Sequence, residues 1–205
     1  HMHKGERRRL DRDLEGAFAA FDRSIKSNSF NLSARLGRAA ALIDLNRDDQ
    51  AQAELQTVFQ RAPKHPLASY LSALLHAKKK DFIGAQESLQ QGGAVLENHM
   101  PSVFLNGALN YALNQLEQAS ANLTRYVEAV PNNPRARKLL GATLVRKGEA
   151  QRAIEVLKPL AEADSRDPQV MALMGSAHIR IGKFAEGTEF FEKAAEAAPD
   201  TASIR

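Results

Sequence analysis

Between Pro134 and Leu160 the chain reads PRARKLLGATLVRKGEAQRAIEVLKPL. Its apolar residues fall at Leu139, Leu140, Leu144 and Val145, stop at Lys147-Gly148-Glu149, and resume at Ala153, Ile154, Leu157 and Leu160. That is the spacing of two amphipathic helices around a break. Gly148 is placed to end the first helix in the left-handed backbone conformation that glycine adopts without strain. Asn46, Asn114 and Gly182 stand at the same position of a 34-residue period, asparagine being the next most tolerant residue there.

Working outward, the period runs through the chain. Small residues occur at Ala39, Ala73, Gly107, Gly141 and Gly175, each 34 positions from the next. A second small series runs Ala51, Ala85, Ala119, Ala153, Gly187, and a large apolar one runs Leu55, Leu89, Leu123, Leu157, Phe191. Units close at Pro63, Glu97, Pro131, Ser165 and Pro199 and open at Pro66, Pro134 and Pro168. The expected units are 32–65, 66–99, 100–133, 134–167 and 168–199, each a pair of antiparallel helices. At the close separations of packed helices, about 8–10 Å, a side chain larger than alanine pushes backbones apart. The small series therefore marks the crossings, and the leucine series fills the seams.

Leu14, Ala17, Phe18, Phe21 and Ile25 form a further apolar stripe. Residues 6–31 are thus expected to hold the helix of a truncated repeat behind a leader, residues 1–5, that begins His1-Met2; residues 200–205 are expected to start another truncated repeat. Neither end shows the polar cap that a solenoid normally carries, so end-to-end self-association is an expectation. Two departures stand out inside the array. Arg38 occupies a position where a leucine is expected, and Gln91-Gly92-Gly93 is expected to kink or shorten its helix.

Composition agrees with a folded chain and excludes several classes. The 205 residues are 43% hydrophobic and 25% charged, with no Cys and no Trp. Thiolate chemistry and disulfides are excluded, and no apolar run approaches the roughly 18 to 20 residues of a membrane helix. A balance of 28 Lys+Arg against 24 Asp+Glu gives +4, too small an excess for a chain of the nucleic-acid-binding type. His76 and His178 fall on a core position, no histidine spacing matches a metal site, and Gly92-Gly93 lacks the strand and Lys-Ser/Thr of a phosphate loop. No cofactor, metal ligand or catalytic residue is expected.

The pattern resembles the tetratricopeptide repeat (TPR). Leu173, Gly175, His178 in place of Tyr, Gly182, Phe184, Phe191, Ala194 and Pro199 stand on family positions, with Gly187 replacing Ala. The resemblance implies an all-α fold, a right-handed superhelical solenoid of helix pairs whose first helices line a concave groove. It also implies a noncatalytic scaffold that binds proteins or peptides. A chaperone-tail clamp is not implied, because its asparagine position is Ala40, Leu74, Ala108, Ala142 or Ser176 here.

Charge is layered on that pattern. The five first helices, 32–45, 66–79, 100–113, 134–147 and 168–181, hold ten Lys/Arg and one acid, while the five second helices, 48–61, 82–95, 116–129, 150–163 and 184–197, hold five Lys/Arg and twelve acids. Lys78, Lys79, Arg146, Lys147 and Arg180 sit in last turns, where the helix dipole favours a cation; Arg135 and Lys138 sit in a first turn, where it does not. Two readings stay open, a groove that attracts an acidic peptide or acidic polysaccharide and charge that is merely solvated. Family geometry makes the candidate partner-binding groove Tyr70, Lys78, Phe104, Asn110, Tyr111, Arg135, Lys138, Arg146 and Arg180. Aromatic faces beside amides suit extended peptides or sugar rings.

More narrowly, the run from Ala136 to Arg146, the run from Ala153 to Leu160 and the run from Ala172 to His178 resemble the TPR lipoproteins of PEP-CTERM/exosortase systems, the PrsT-like proteins. That likeness implies a periplasmic or outer-membrane-associated protein, anchored through a segment outside these residues and serving exopolysaccharide production and protein export; otherwise the chain is cytoplasmic. The alternative is a regulatory or substrate-presenting array of a larger enzyme.

Overall fold

The computed structural model describes residues 2–10, 13–164 and 166–198. All regular structure among them is helical. The expected closing positions Ser165 and Pro199, and the segment 200–205, lie outside the described residues. The chain divides into two compact units, 1–102 and 103–205. The first contains α1 (Met2–Leu10), α2 (Leu14–Ser27), α3 (Leu32–Asp44), α4 (Asp48–Phe59), α5 (Pro66–Lys78), α6 (Phe82–Gln91) and α7 (Ala94–Glu97). Helix α8 (Met100–Ala112) carries the chain into the second, which continues with α9 (Leu116–Ala129), α10 (Pro134–Lys147), α11 (Ala150–Ala163), α12 (Pro168–Arg180) and α13 (Phe184–Ala197). From α1 to α6, and again from α9 to α13, each helix packs on the next, while α3 also meets α5 and α10 meets α12. Each unit is therefore a stack of helix pairs.

First helices start where a polar side chain caps them. Asn31, Asn133 and Asp167 each accept an amide three residues on, from Ala34, Ala136 and Val170, at 3.0, 3.1 and 3.1 Å. His65 does the same more weakly through Nδ1, 3.5 Å from the Ala68 nitrogen. These caps lie on the repeat period, as do the turns that end the first helices. Asn46, Lys80, Asn114, Gly148 and Gly182 all have positive φ, at 59°, 61°, 60°, 85° and 80°.

The crossings work as notches. A Cβ on Gly141 would lie 2.6 Å from the Leu157 side chain, and one on Gly107 would lie 2.8 Å from that of Leu123. Ala39, Ala73, Ala51, Ala85, Ala119 and Ala153 are fully buried. The notch also exists one period earlier. Gly5 stands one period before Ala39, as Phe21 stands one period before Leu55. A Cβ on Gly5 would lie 2.8 Å from the Phe21 ring. The single helix expected over 6–31 is instead two helices, α1 and α2, and α1 extends back to Met2, into residues expected to be a leader. Residues 2–10 form a first helix packed on α2, and the break comes at Asp13, whose carboxylate accepts the Gly16 amide at 3.0 Å and starts α2.

Near residue 91 the helix does shorten. α6 ends at Gln91, Gly93 takes φ 70°, and α7 turns back so that Leu96 is buried against Gly92. A side chain at Gly92 would occupy the space of the Leu96 methyl groups.

One recurring pair of positions joins the two helices of four repeats with matched chemistry. Arg38 bonds Glu54 as an ion pair, and the Ser72 and Ser88 hydroxyls are 3.3 Å apart. Leu140 and Val156 share one apolar cluster, Met174 and Phe190 another. Asn106 and Asn122 hold the same two positions in the middle repeat. Arg38 therefore fits a leucine position because its guanidinium has Glu54, and at 2.8 Å Asp22, to answer it.

Candidate functional site

The candidate residues divide between the two units. In the first, Tyr70 lies half-buried on α5 with its ring edge-on to His99, centroids 5.0 Å apart. Lys78, in the last turn of α5, reaches back to the end of α3: its Nζ is 2.6 Å from Asp48 Oδ1, 3.1 Å from Asn46 Oδ1 and 3.4 Å from the Ile43 carbonyl.

In the second unit the same tie recurs two periods on. Arg146, in the last turn of α10, donates to Asn114 Oδ1 at 2.7 Å and to the Tyr111 carbonyl at 3.4 Å, and its guanidinium stacks on the Tyr111 ring at 4.6 Å. The cation neutralises the negative end of the preceding first helix, and the turn asparagine supplies a side-chain acceptor. Arg180 holds that position in α12, but its counterpart in the turn is Gly148, which has no side chain to offer. Arg180 is exposed and forms no side-chain bond among the described residues.

The first-turn cations behave differently from one another. Lys138 Nζ is 3.1 Å from Asp167 Oδ2, the carboxylate that also caps α12. Burial pushes the Asp167 carboxyl up, but the Val170 amide and Lys138 outweigh it and hold it below the ordinary carboxylate range. Arg135, one turn earlier, is exposed and has no partner among the described residues. Lys147 sits between Glu117 and Glu149 at 2.7 and 2.6 Å, which raises its pKa and, through Lys147 first, lowers that of Glu149.

Phe104 leans on Tyr126, centroids 5.0 Å apart, within the α10 core cluster. Asn110 is 4% exposed. The expectation of an amide in an open groove is corrected at Asn110, because its position belongs to the face that packs inward, as Leu144 does one period on.

Much of the basic excess on the first helices is thus engaged within the protein. Arg35 and Arg38 share Glu54, and Arg137 donates to the carbonyls of Pro131 and Val156 at 2.6 and 3.2 Å. Lys79, Arg135 and Arg180 remain without a side-chain partner among the described residues. Sequence reasoning missed these ties between repeats. Their signal was present as a cation recurring at one fixed distance, just under a period, after a turn asparagine: Lys78 after Asn46 and Arg146 after Asn114.

No group of His, Cys, Asp and Glu that could hold a metal occurs among the described residues. His76 bonds Asp81 at 2.6 Å, and His178 stacks on Phe190 at 5.1 Å. No helix is long and apolar enough to cross a membrane among the described residues.

Sequence profiles of the tetratricopeptide repeat match residues 9–75 and, in two overlapping stretches, 106–168 and 143–202. No curated protein sequence matches the chain. Among solved structures it is similar to YrrB, described as a TPR protein with an unusual peptide-binding site, at 20% identity and a TM-score of 0.80 over 89% of this chain and 94% of that one. It is also similar to PilF of Pseudomonas aeruginosa, at 10% identity and a TM-score of 0.80 over 97% and 90%, and to MamA of AMB-1, at 19% and 0.73 over 80% and 96%. At these identities the likeness is one of fold.

Proposed function

From the premise that this chain belongs to the tetratricopeptide repeat family, we propose that it is a noncatalytic scaffold whose first helices hold an acidic segment of a partner protein. The observation that carries this is Arg135. It is an exposed cation in the first turn of α10, where the helix dipole disfavours positive charge, and no described carboxylate or carbonyl answers it. A partner carboxylate would supply what the fold leaves out. Exposed Arg180 offers a second contact within the same unit.

An acidic polysaccharide is the neighbouring reading, favoured by the stacked Tyr111 and Arg146 pair, whose flat face suits a sugar ring. The envelope setting, with an exopolysaccharide and protein-export system, a lipid anchor outside these residues and a periplasmic or outer-membrane location, rests on the resemblance of residues 136–146, 153–160 and 172–178 to PrsT-like proteins. Further copies of the chain are a third proposed partner.

Fluorescence anisotropy with a labelled Asp/Glu-rich peptide and with an acidic oligosaccharide separates these readings. Arg135→Glu is expected to weaken peptide binding about tenfold, the scale of one charge-assisted contact, with helicity unchanged. Adding Lys138→Glu weakens it further, but also breaks the Asp167 tie, so the single variant is the cleaner test. Peptide affinity indifferent to Arg135→Glu would remove the assignment.

A further inference from the structure

Repeat register exposes opposite chemistry on two helices. Within each unit the large residue of an interior second helix is enclosed by the first helix that follows. Phe21 clusters with Ala34 and Ala41, Leu55 with Ala68, Leu71 and Leu75, and Leu157 with Val170, Met171 and Met174. Phe191 holds that position on α13 and is 42% exposed, and Phe184 is 65% exposed. Phe184, Thr188, Phe191 and Ala195 form one exposed stripe at helical spacing. Glu192 and Glu196 border it, exposed and without an ion pair among the described residues.

The complementary position is on α1. Ala41 and Leu75 are buried against the preceding second helices, α2 and α4. The equivalent residue of α1, one period before Ala41, is Arg7. Arg7 and Lys4, one turn earlier, are exposed and unpaired among the described residues.

We propose that copies of this chain associate head to tail, the Phe184–Phe191 face of one copy seating the Lys4 and Arg7 face of the next. The repeat register brings Arg7 opposite Phe191 and the bordering glutamates, where a guanidinium stacks on an aromatic face and meets a carboxylate. Two α13 faces packed on each other would instead oppose glutamate to glutamate, so the charges select the heterologous contact over the symmetric one. Such a contact is heterologous, pairing two different faces rather than one face with itself. The proposal does not depend on which ligand the first helices take.

Sedimentation velocity of the full chain, from micromolar to millimolar concentration, tests it. The average mass is expected to rise with concentration and to fall back at about 1 M salt, where the Debye length is about 3 Å. Arg7→Glu and Glu192→Arg should each weaken association about tenfold, and the double reversal should restore it. Circular dichroism of each exposed-site variant checks that helicity is kept. Phe184→Ser, also at an exposed site, should weaken association without restoring partners. A monomer at every concentration, or association indifferent to both reversals, overturns the proposal. So does association that begins only when residues 199–205 are removed, which would assign the face to the chain's own C-terminal segment.

Discussion

Lys80 adopts φ 61° in a turn where the other repeats place Asn46, Asn114, Gly148 and Gly182. A left-handed conformation costs an ordinary residue about 1 kcal/mol, and asparagine less because its short side chain is tolerated there. Lys80 is exposed, so Lys80→Asn removes strain without removing a packing contact. The unfolding free energy from urea titration is expected to rise by about 0.5–1 kcal/mol; a fall would show that the lysine side chain holds the turn. Ser69 presents the opposite case. It is fully buried with its hydroxyl unbonded, at a position where Arg35 and Arg137 are long enough to reach carbonyl groups. Ser69→Ala is expected to be neutral or to stabilise by up to about 1 kcal/mol, since an unanswered buried hydroxyl is a cost. The glycine and asparagine turns were legible in the sequence, because backbone conformation is written in residue type. The service of Asn46 and Asn114 as acceptors for Lys78 and Arg146 was not, since it depends on a residue in the following repeat.

Two helices of a repeat are registered by the matched pair that joins them, and its ionic version can be tested. Arg38, Glu54 and Asp22 are mostly buried and link α2, α3 and α4. Removing one partner leaves an uncompensated charge, so Arg38→Leu alone is expected to destabilise by about 2–3 kcal/mol. Arg38→Leu with Glu54→Val copies the chemistry of Leu140 with Val156 and should recover most of that loss. A double variant as unstable as the single one would mean that Arg38 serves Asp22 more than Glu54. Asp167 ties elements through protonation. Its carboxyl titrates below the ordinary range in the folded state, so its contribution is present above the unfolded-state pKa and disappears as pH falls through the lower, folded value. Asp167→Asn keeps the α12 cap but gives up the charge facing Lys138. It should lower stability at pH 7 by about 1 kcal/mol and flatten the acid limb of stability against pH; a variant with an unchanged acid limb would refute the coupling. That Arg38 departs from the repeat was visible in the sequence, but its meaning required Glu54, whose alignment only the paired helices supply.

Over the whole molecule the period of 34 made the fold class readable from residue spacing, and it did so because each repeat buries the same positions. The candidate site was less legible. A count of charges distinguishes first helices from second helices, yet it does not say which cations answer carbonyls and carboxylates of neighbouring repeats, and Lys78, Lys138 and Arg146 all do. The helix over Met2–Leu10 was missed for a related reason: Gly5 continues the small series, but one glycine in a basic stretch carries no periodic signal by itself. The same register leads to an expectation about stability along the chain. Matched pairs are ionic at Arg38 with Glu54, hydroxyl at Ser72 with Ser88, and apolar at Leu140 with Val156 and Met174 with Phe190. Apolar pairs bury surface without desolvating polar groups, and repeat arrays open locally according to the stability of each repeat and its neighbours. Hydrogen exchange should therefore be slowest in α10 and α12. It should be faster in α6, which ends at Gly92-Gly93 and meets α5 through the Ser72 and Ser88 hydroxyls. The difference expected is about tenfold or more, corresponding to roughly 1.4 kcal/mol in local opening free energy. Protection that is uniform along the chain, or greatest in α6, would show that the matched pairs set register without setting stability.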